Sequence, residues 1–146
     1  MLLHLGTYAF NRLFSRFKNS KTTSESAVKK DIRSLCKVTK DAEVVFPLAL
    51  YYMLYLCKTS IVDKTVDVRL LYIVSWCIAL KYLDEEITVD TKDWARFARV
   101  EHELFNATER MILKELGYSL DPGIVIIEEL MEKVKSSYEL YSSTSK

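Results

Sequence analysis

The chain has 146 residues, enough for one domain and little more. Hydrophobic residues at 49% against 28% charged exclude a disordered tail, and only 3 Gly and 2 Pro leave a sandwich or barrel short of the residues its tight turns need. With 21 Lys+Arg against 20 Asp+Glu, the net charge of +1 disfavours a general nucleic-acid binder, which needs a larger or more clustered positive surplus.

The charge is unevenly distributed. Before Glu25 lie Arg12, Arg16, Lys18 and Lys21 and no acid, so the other 17 basic residues face all 20 acids and carry a net of −3. Residues 1–20 read as an amphipathic helix, with Leu3, Phe10, Leu13, Phe14 and Phe17 at helical spacing and Arg12 and Arg16 turned elsewhere. Such a helix needs a surface, and docking on its own domain is the plainest choice. Its basic, acid-free composition also resembles a targeting or membrane-surface helix. Residues 21–26 form a polar linker, and Thr22 with Glu25 makes a capping-box signature for the helix that follows. That helix carries Val28, Ile32, Leu35 and Cys36 on one face and runs to about Thr39.

Two segments then lose their polar face. VVFPLALYYMLYLC (44–57) and LLYIVSWCIAL (70–80) contain no charge on any side. Both fall short of the about 20 residues that span a bilayer, so they read as helices surrounded by protein, and a membrane role is disfavoured. Pro47 is tolerable in a first turn, which sets the start of the earlier segment near residues 44–46. Asp63–Asp67 supplies the loop and cap for the later one, and the acidic trio Asp84, Glu85, Glu86 marks its exit as a solvated loop.

Asp90 or Thr91 caps a short helix, KDWARFA, with Trp94 and Phe97 as buried anchors. A further helix, VEHELFNATERMILKEL, runs from Val100 to about Leu116 and closes at Gly117. The last, about Ile124 to Tyr141, sets a stripe of Ile127, Leu130, Met131 and Val134 beside an i, i+4 pair, Glu129 and Lys133. IVII at 124–127 has strand propensity but no visible partner strand.

Cys36, Cys57 and Cys77 are odd in number and show no Cys-x-x-Cys step, so neither a disulfide framework nor a zinc site is readable and a reducing intracellular home fits best. Only His4 and His102 are present, there is no Gly-rich phosphate loop, and no Ser or Cys has a readable base partner. The sequence therefore predicts an all-α protein without catalytic residues, cofactor, metal or small-molecule substrate. His102, between Glu101 and Glu103, reads as an exposed residue of no special role, and Trp76 as a core filler.

PLALYYMLYL, IVSWCIALKYLDEE, KDWARFA and NATERMILKELGYSL resemble, in order and spacing, the second to fifth helices of a cyclin box. The likeness is strongest to the short single-box cyclins of the fungal PCL and phosphate-signalling type, and it covers about residues 27–120. It implies a five-helix bundle around a central apolar third helix, with residues 1–20 and 121–146 as added N-terminal and C-terminal helices. No second box is expected beyond Asp121. The resemblance also implies a partner-binding activator of a cyclin-dependent protein kinase, acting in the nucleus or cytoplasm and doing no chemistry itself. By position Lys81 matches the family's lysine at the end of the third box helix, and Glu109 its glutamate in the fifth. Tyr82 stands where the family places an aromatic, and Leu113 and Leu120 match apolar contact positions. SAVKKDIRSLCKV lacks the apolar substrate-docking cluster of the cell-cycle cyclins. The alternatives are a transcription-factor-like box protein gripping DNA and a purely structural helical subunit.

Overall fold

A computed structural model describes residues 2–17, 24–64, 66–83 and 90–144. Among these there is no strand: the chain forms α1 (Leu2–Phe14), α2 (Glu25–Val38), α3 (Ala42–Leu56), a 3-10 turn (Ser60–Asp63), α4 (Val68–Leu83), α5 (Thr91–Ala98), α6 (His102–Glu115) and α7 (Ile124–Thr144). The all-α class predicted from the turn-poor composition holds, and the IVII segment is helical.

The two charge-free segments make the centre. α4 buries every residue from Leu70 to Leu80, and its only charges, Arg69 and Lys81, sit near its two ends. α3 lies against it and buries Phe46, Leu50, Tyr52, Met53 and Leu56, so the hub is a pair of helices rather than one. α5 and α6 cover the far side of α4, α1 and α7 cover α3, and α2 packs on α1. Burying large apolar side chains of this kind contributes about 1.5–3 kcal/mol each, which fixes the order of the layers. Trp76 is fully buried and donates from Nε1 to Thr39 Oγ1 at 2.9 Å, satisfying its one polar atom.

α1 docks on its own domain. Phe10 and Leu13 are buried, as is Phe17 just beyond the helix, and the Phe10 ring stacks on Tyr72 and meets Phe46 edge-on. Gly6 permits the close crossing: a Cβ there would stand 3.2 Å from Ile32 of α2 and 3.5 Å from Phe46 of α3. At the other side Arg69 clamps three helices. Its Nε donates to Asp31 Oδ2 at 2.8 Å, Nη2 to Oδ1 at 3.2 Å, and Nη1 to the Ala98 carbonyl at 2.7 Å, while the Tyr72 hydroxyl donates to the same Asp31 carboxylate.

Local chemistry explains where the ends fall. Ser24 caps α2, its Oγ accepting from Ala27 N–H at 3.2 Å, so the linker ends before residue 26; Thr22 lies outside the described residues. α3 begins at Ala42, earlier than predicted. Pro47 therefore falls in the second turn, where it removes the donor to the Glu43 carbonyl. Asp67 caps α4 through Oδ1 to Leu70 N–H at 3.3 Å, and Asp90 caps α5 through Oδ1 to Lys92 N–H at 2.9 Å. Gly117 adopts φ +62° just past α6, the left-handed stop its position suggested.

Several packing expectations are corrected. Trp94 and Phe97 are half-buried, and the contact under α5 is made by the fully buried Ala95 and Ala98, whose small side chains let this short helix sit close. The α7 stripe of Ile127, Leu130, Met131 and Val134 does face the core, yet no residue of α7 is fully buried. Glu129 and Lys133 form no ion pair among the described residues. The acidic trio 84–86 lies outside the described residues.

Candidate functional site

The C-terminal end of α4, the middle of α6 and the turn into α7 meet at one corner of the bundle. Lys81 occupies the first position of α4 after its fully buried stretch, so its stem leaves the core and its ammonium reaches the surface. Glu109 approaches from α6, and Lys81 Nζ donates to Glu109 Oε2 at 2.7 Å across 28 residues of sequence. Side-chain exposures of 34% and 16% make this a half-buried pair, not the two exposed ions that surface charges usually are. Buried Cys77, one turn before Lys81, lies within range of both charges. Its thiol is pushed up to about 12, chiefly by burial.

Tyr82 follows Lys81 and stands 43% exposed, with its phenol near Asp121 in the turn before α7. Loss of solvent around the phenol, then the Asp121 charge and hydrogen bond, raise its pKa above the ordinary value. Leu113 is one turn along α6 from Glu109, and Leu120 precedes Asp121. Both are half-buried against the core. The Leu120 carbonyl accepts from the buried Tyr52 hydroxyl at 2.8 Å, which anchors the turn to α3. The structure thus brings Lys81 and Glu109 into contact, with Tyr82 next to Lys81 on α4, Leu113 one turn from Glu109 on α6, and Leu120 on the turn that Tyr52 anchors to α3.

Asp121 is the residue the sequence reading missed. Its charge lies near Tyr82, it accepts from Gly123 N–H at 2.9 Å through Oδ1, and an Asp two residues before a Gly in DPG is the signal that marks such a turn. Leu83 at 40% and Tyr118 at 70% exposure add uncovered apolar surface to the segments that bear these residues. Apolar and aromatic side chains around a charged pair are the composition of a protein-binding surface. α7 packs on α1 and α3.

His102 is corrected from exposed to half-buried. Its Nε2 meets Thr91 Oγ1 at 2.8 Å and Asn106 Nδ2 at 3.2 Å, so it ties the head of α5 to the head of α6. Among the described residues no cluster of His, Cys, Asp and Glu is arranged to hold a metal ion, and no helix is long and apolar enough to cross a membrane. Comparison with protein-family models, with curated proteins and with solved structures gives no match.

Proposed function

We propose that the chain is a cyclin-like regulatory subunit that binds and activates a cyclin-dependent Ser/Thr protein kinase, inside the cell in the nucleus or cytoplasm, by positioning the kinase's regulatory helix. The supporting observation is the 2.7 Å contact between Lys81 and Glu109, the two residues the cyclin-box resemblance assigns to the kinase. The pair retains capacity for a partner. An ammonium has three donors and uses one on Glu109, and a carboxylate has lone pairs left on both oxygens, so backbone carbonyl and N–H groups of a second protein can be engaged together. Tyr82, Leu113 and Leu120 supply the apolar contacts beside that anchor.

The mechanism is conformational. A kinase holds its ATP phosphates correctly only when its strand lysine pairs with a glutamate on the regulatory helix. A subunit that binds only the inward position of that helix shifts the kinase toward the competent state, by as much as its affinities for the two states differ.

Mixing the full chain with purified cyclin-dependent kinases and measuring phosphate transfer tests this. A rise in transfer with at least one of them is expected. Absence of activation across the class, together with salt-dependent binding to DNA or a stable homodimer, would replace it with the transcription-factor-like or the structural reading.

A further inference from the structure

The groove between α1, α3 and α7 forms an open cavity of about 680 Å³, within the roughly 300–1,000 Å³ of small-molecule sites. Its floor is hydrocarbon: Leu13 and Leu50 are buried, and Leu54, Leu130 and Val134 are half-buried. Its rim is basic. Arg12 from α1, Arg16 in the turn after it, Lys58 after α3 and Lys133 from α7 stand around it, all exposed, with Glu129 as the one carboxylate in the lining.

Arg12 is already oriented. Its guanidinium lies over the Tyr8 ring, 5.6 Å from the centroid, and Nη1 donates to the Tyr8 hydroxyl at 3.1 Å, which in turn shares a hydrogen bond with Ser137 of α7. Arg16, Lys58 and Lys133 form no ion pair among the described residues. Arg12, Arg16, Lys58 and Lys133 set four positive charges around one opening against the single carboxylate of Glu129, and a cluster of this kind is relieved by an anion.

We propose that this groove binds a single-chain anionic amphiphile, with its hydrocarbon on the leucine floor and its phosphate or carboxylate head among Arg12, Arg16, Lys58 and Lys133. A planar guanidinium held in place suits an oxyanion, and the ammonium groups add charge without further geometric demand. A peptide helix, about 10 Å across, is a poorer fit. Tyr8 meets Tyr138 edge-on at 5.4 Å and bonds Ser137, so α1 and α7 close on one another at one end of the groove. The site lies on α1, α3 and α7 and is independent of the kinase reading.

Titration calorimetry on the full chain tests this, with dodecyl phosphate and laurate below their micellar concentrations. Dodecyl maltoside, dodecyltrimethylammonium and inorganic phosphate are the comparisons. One-to-one binding of the two anionic amphiphiles is expected, with each comparison weaker by about tenfold or more, the worth of a charge-assisted contact. Arg16→Gln combined with Lys133→Gln should weaken binding by about tenfold or more with unchanged circular dichroism. Val134→Phe, on a helix with no fully buried residue, should occlude the cavity and abolish binding while the fold persists. Equal binding of the uncharged or cationic amphiphile, no binding of dodecyl phosphate, or tighter capture of an acidic amphipathic peptide than of either anionic amphiphile would overturn it.

Discussion

α4 and α7 are both long helices rich in apolar residues, and they do opposite work. α4 buries 12 of its 16 residues, whereas α7 buries none of its 21. The difference follows from where charge sits. α4 keeps Arg69 and Lys81 near its ends and nothing ionic between, so it can be ringed by neighbours, with both end charges engaged by carboxylates from other helices. α7 interleaves Glu128, Glu129, Glu132, Lys133 and Lys135 with its stripe, which restricts it to one-sided contact. Its outward apolar residues, such as Ile124 at 73% and Leu140 at 69% exposure, are left uncovered. Stability is therefore concentrated in the α3–α4 pair, and the peripheral helices are available for surfaces and grooves.

The strongest way to break that contrast is a charge in the hub. Ala79 is fully buried, and Ala79→Asp should cost more than about 4 kcal/mol and abolish cooperative unfolding. A helical, soluble Ala79→Asp protein melting near the wild-type temperature would contradict the placement of α4.

Cys77 gives a milder probe of the same helix. Its thiol rises from 9.0 to about 12 on burial, so the folded state holds this proton more tightly than the unfolded chain. The stability it contributes is fully present below pH 9 and is lost as pH rises toward 12. Urea midpoints should fall across that window, and the fall should be shallower in Cys77→Val. Identical slopes would show that the thiol is not desolvated.

At the corner, Glu109→Ala leaves Lys81 without its partner in a half-buried setting and should cost about 1–3 kcal/mol, read as a lower urea midpoint. An unchanged midpoint would mean that the pair is as solvated as ordinary surface ions. On α7, Val134→Ala should cost less than about 1 kcal/mol, because a half-buried site neither desolvates the side chain fully nor leaves a closed cavity. A loss comparable with a core truncation would remove the distinction between hub and outer wall.

What could be read from the sequence was whatever local chemistry decides. The charge-free run at 70–80, the Asp90 cap, the Gly117 stop and the apolar face of α1 each carry their signal within a few residues. Contacts decided by tertiary placement could not be read in the same way. Arg69 and Asp31 are 38 residues apart, and nothing near either announces the clamp, although a lone arginine at the head of an otherwise apolar helix is a hint. The half-burial of Lys81 and Glu109 depends on the α4–α6 crossing, which spacing along the chain does not reveal. Trp94 and Phe97 were over-read because large aromatics suggest anchors, whereas a short helix sits close through Ala95 and Ala98.

The most direct measurement of the central claim exchanges the two charges, Lys81→Glu with Glu109→Lys, and compares melting with kinase activation. The swap keeps an ion pair within the protein but presents each charge from the wrong helix to a partner. The account predicts a melting temperature close to wild type together with loss of kinase binding and activation. Activation retained at the wild-type level in the swapped protein would contradict it.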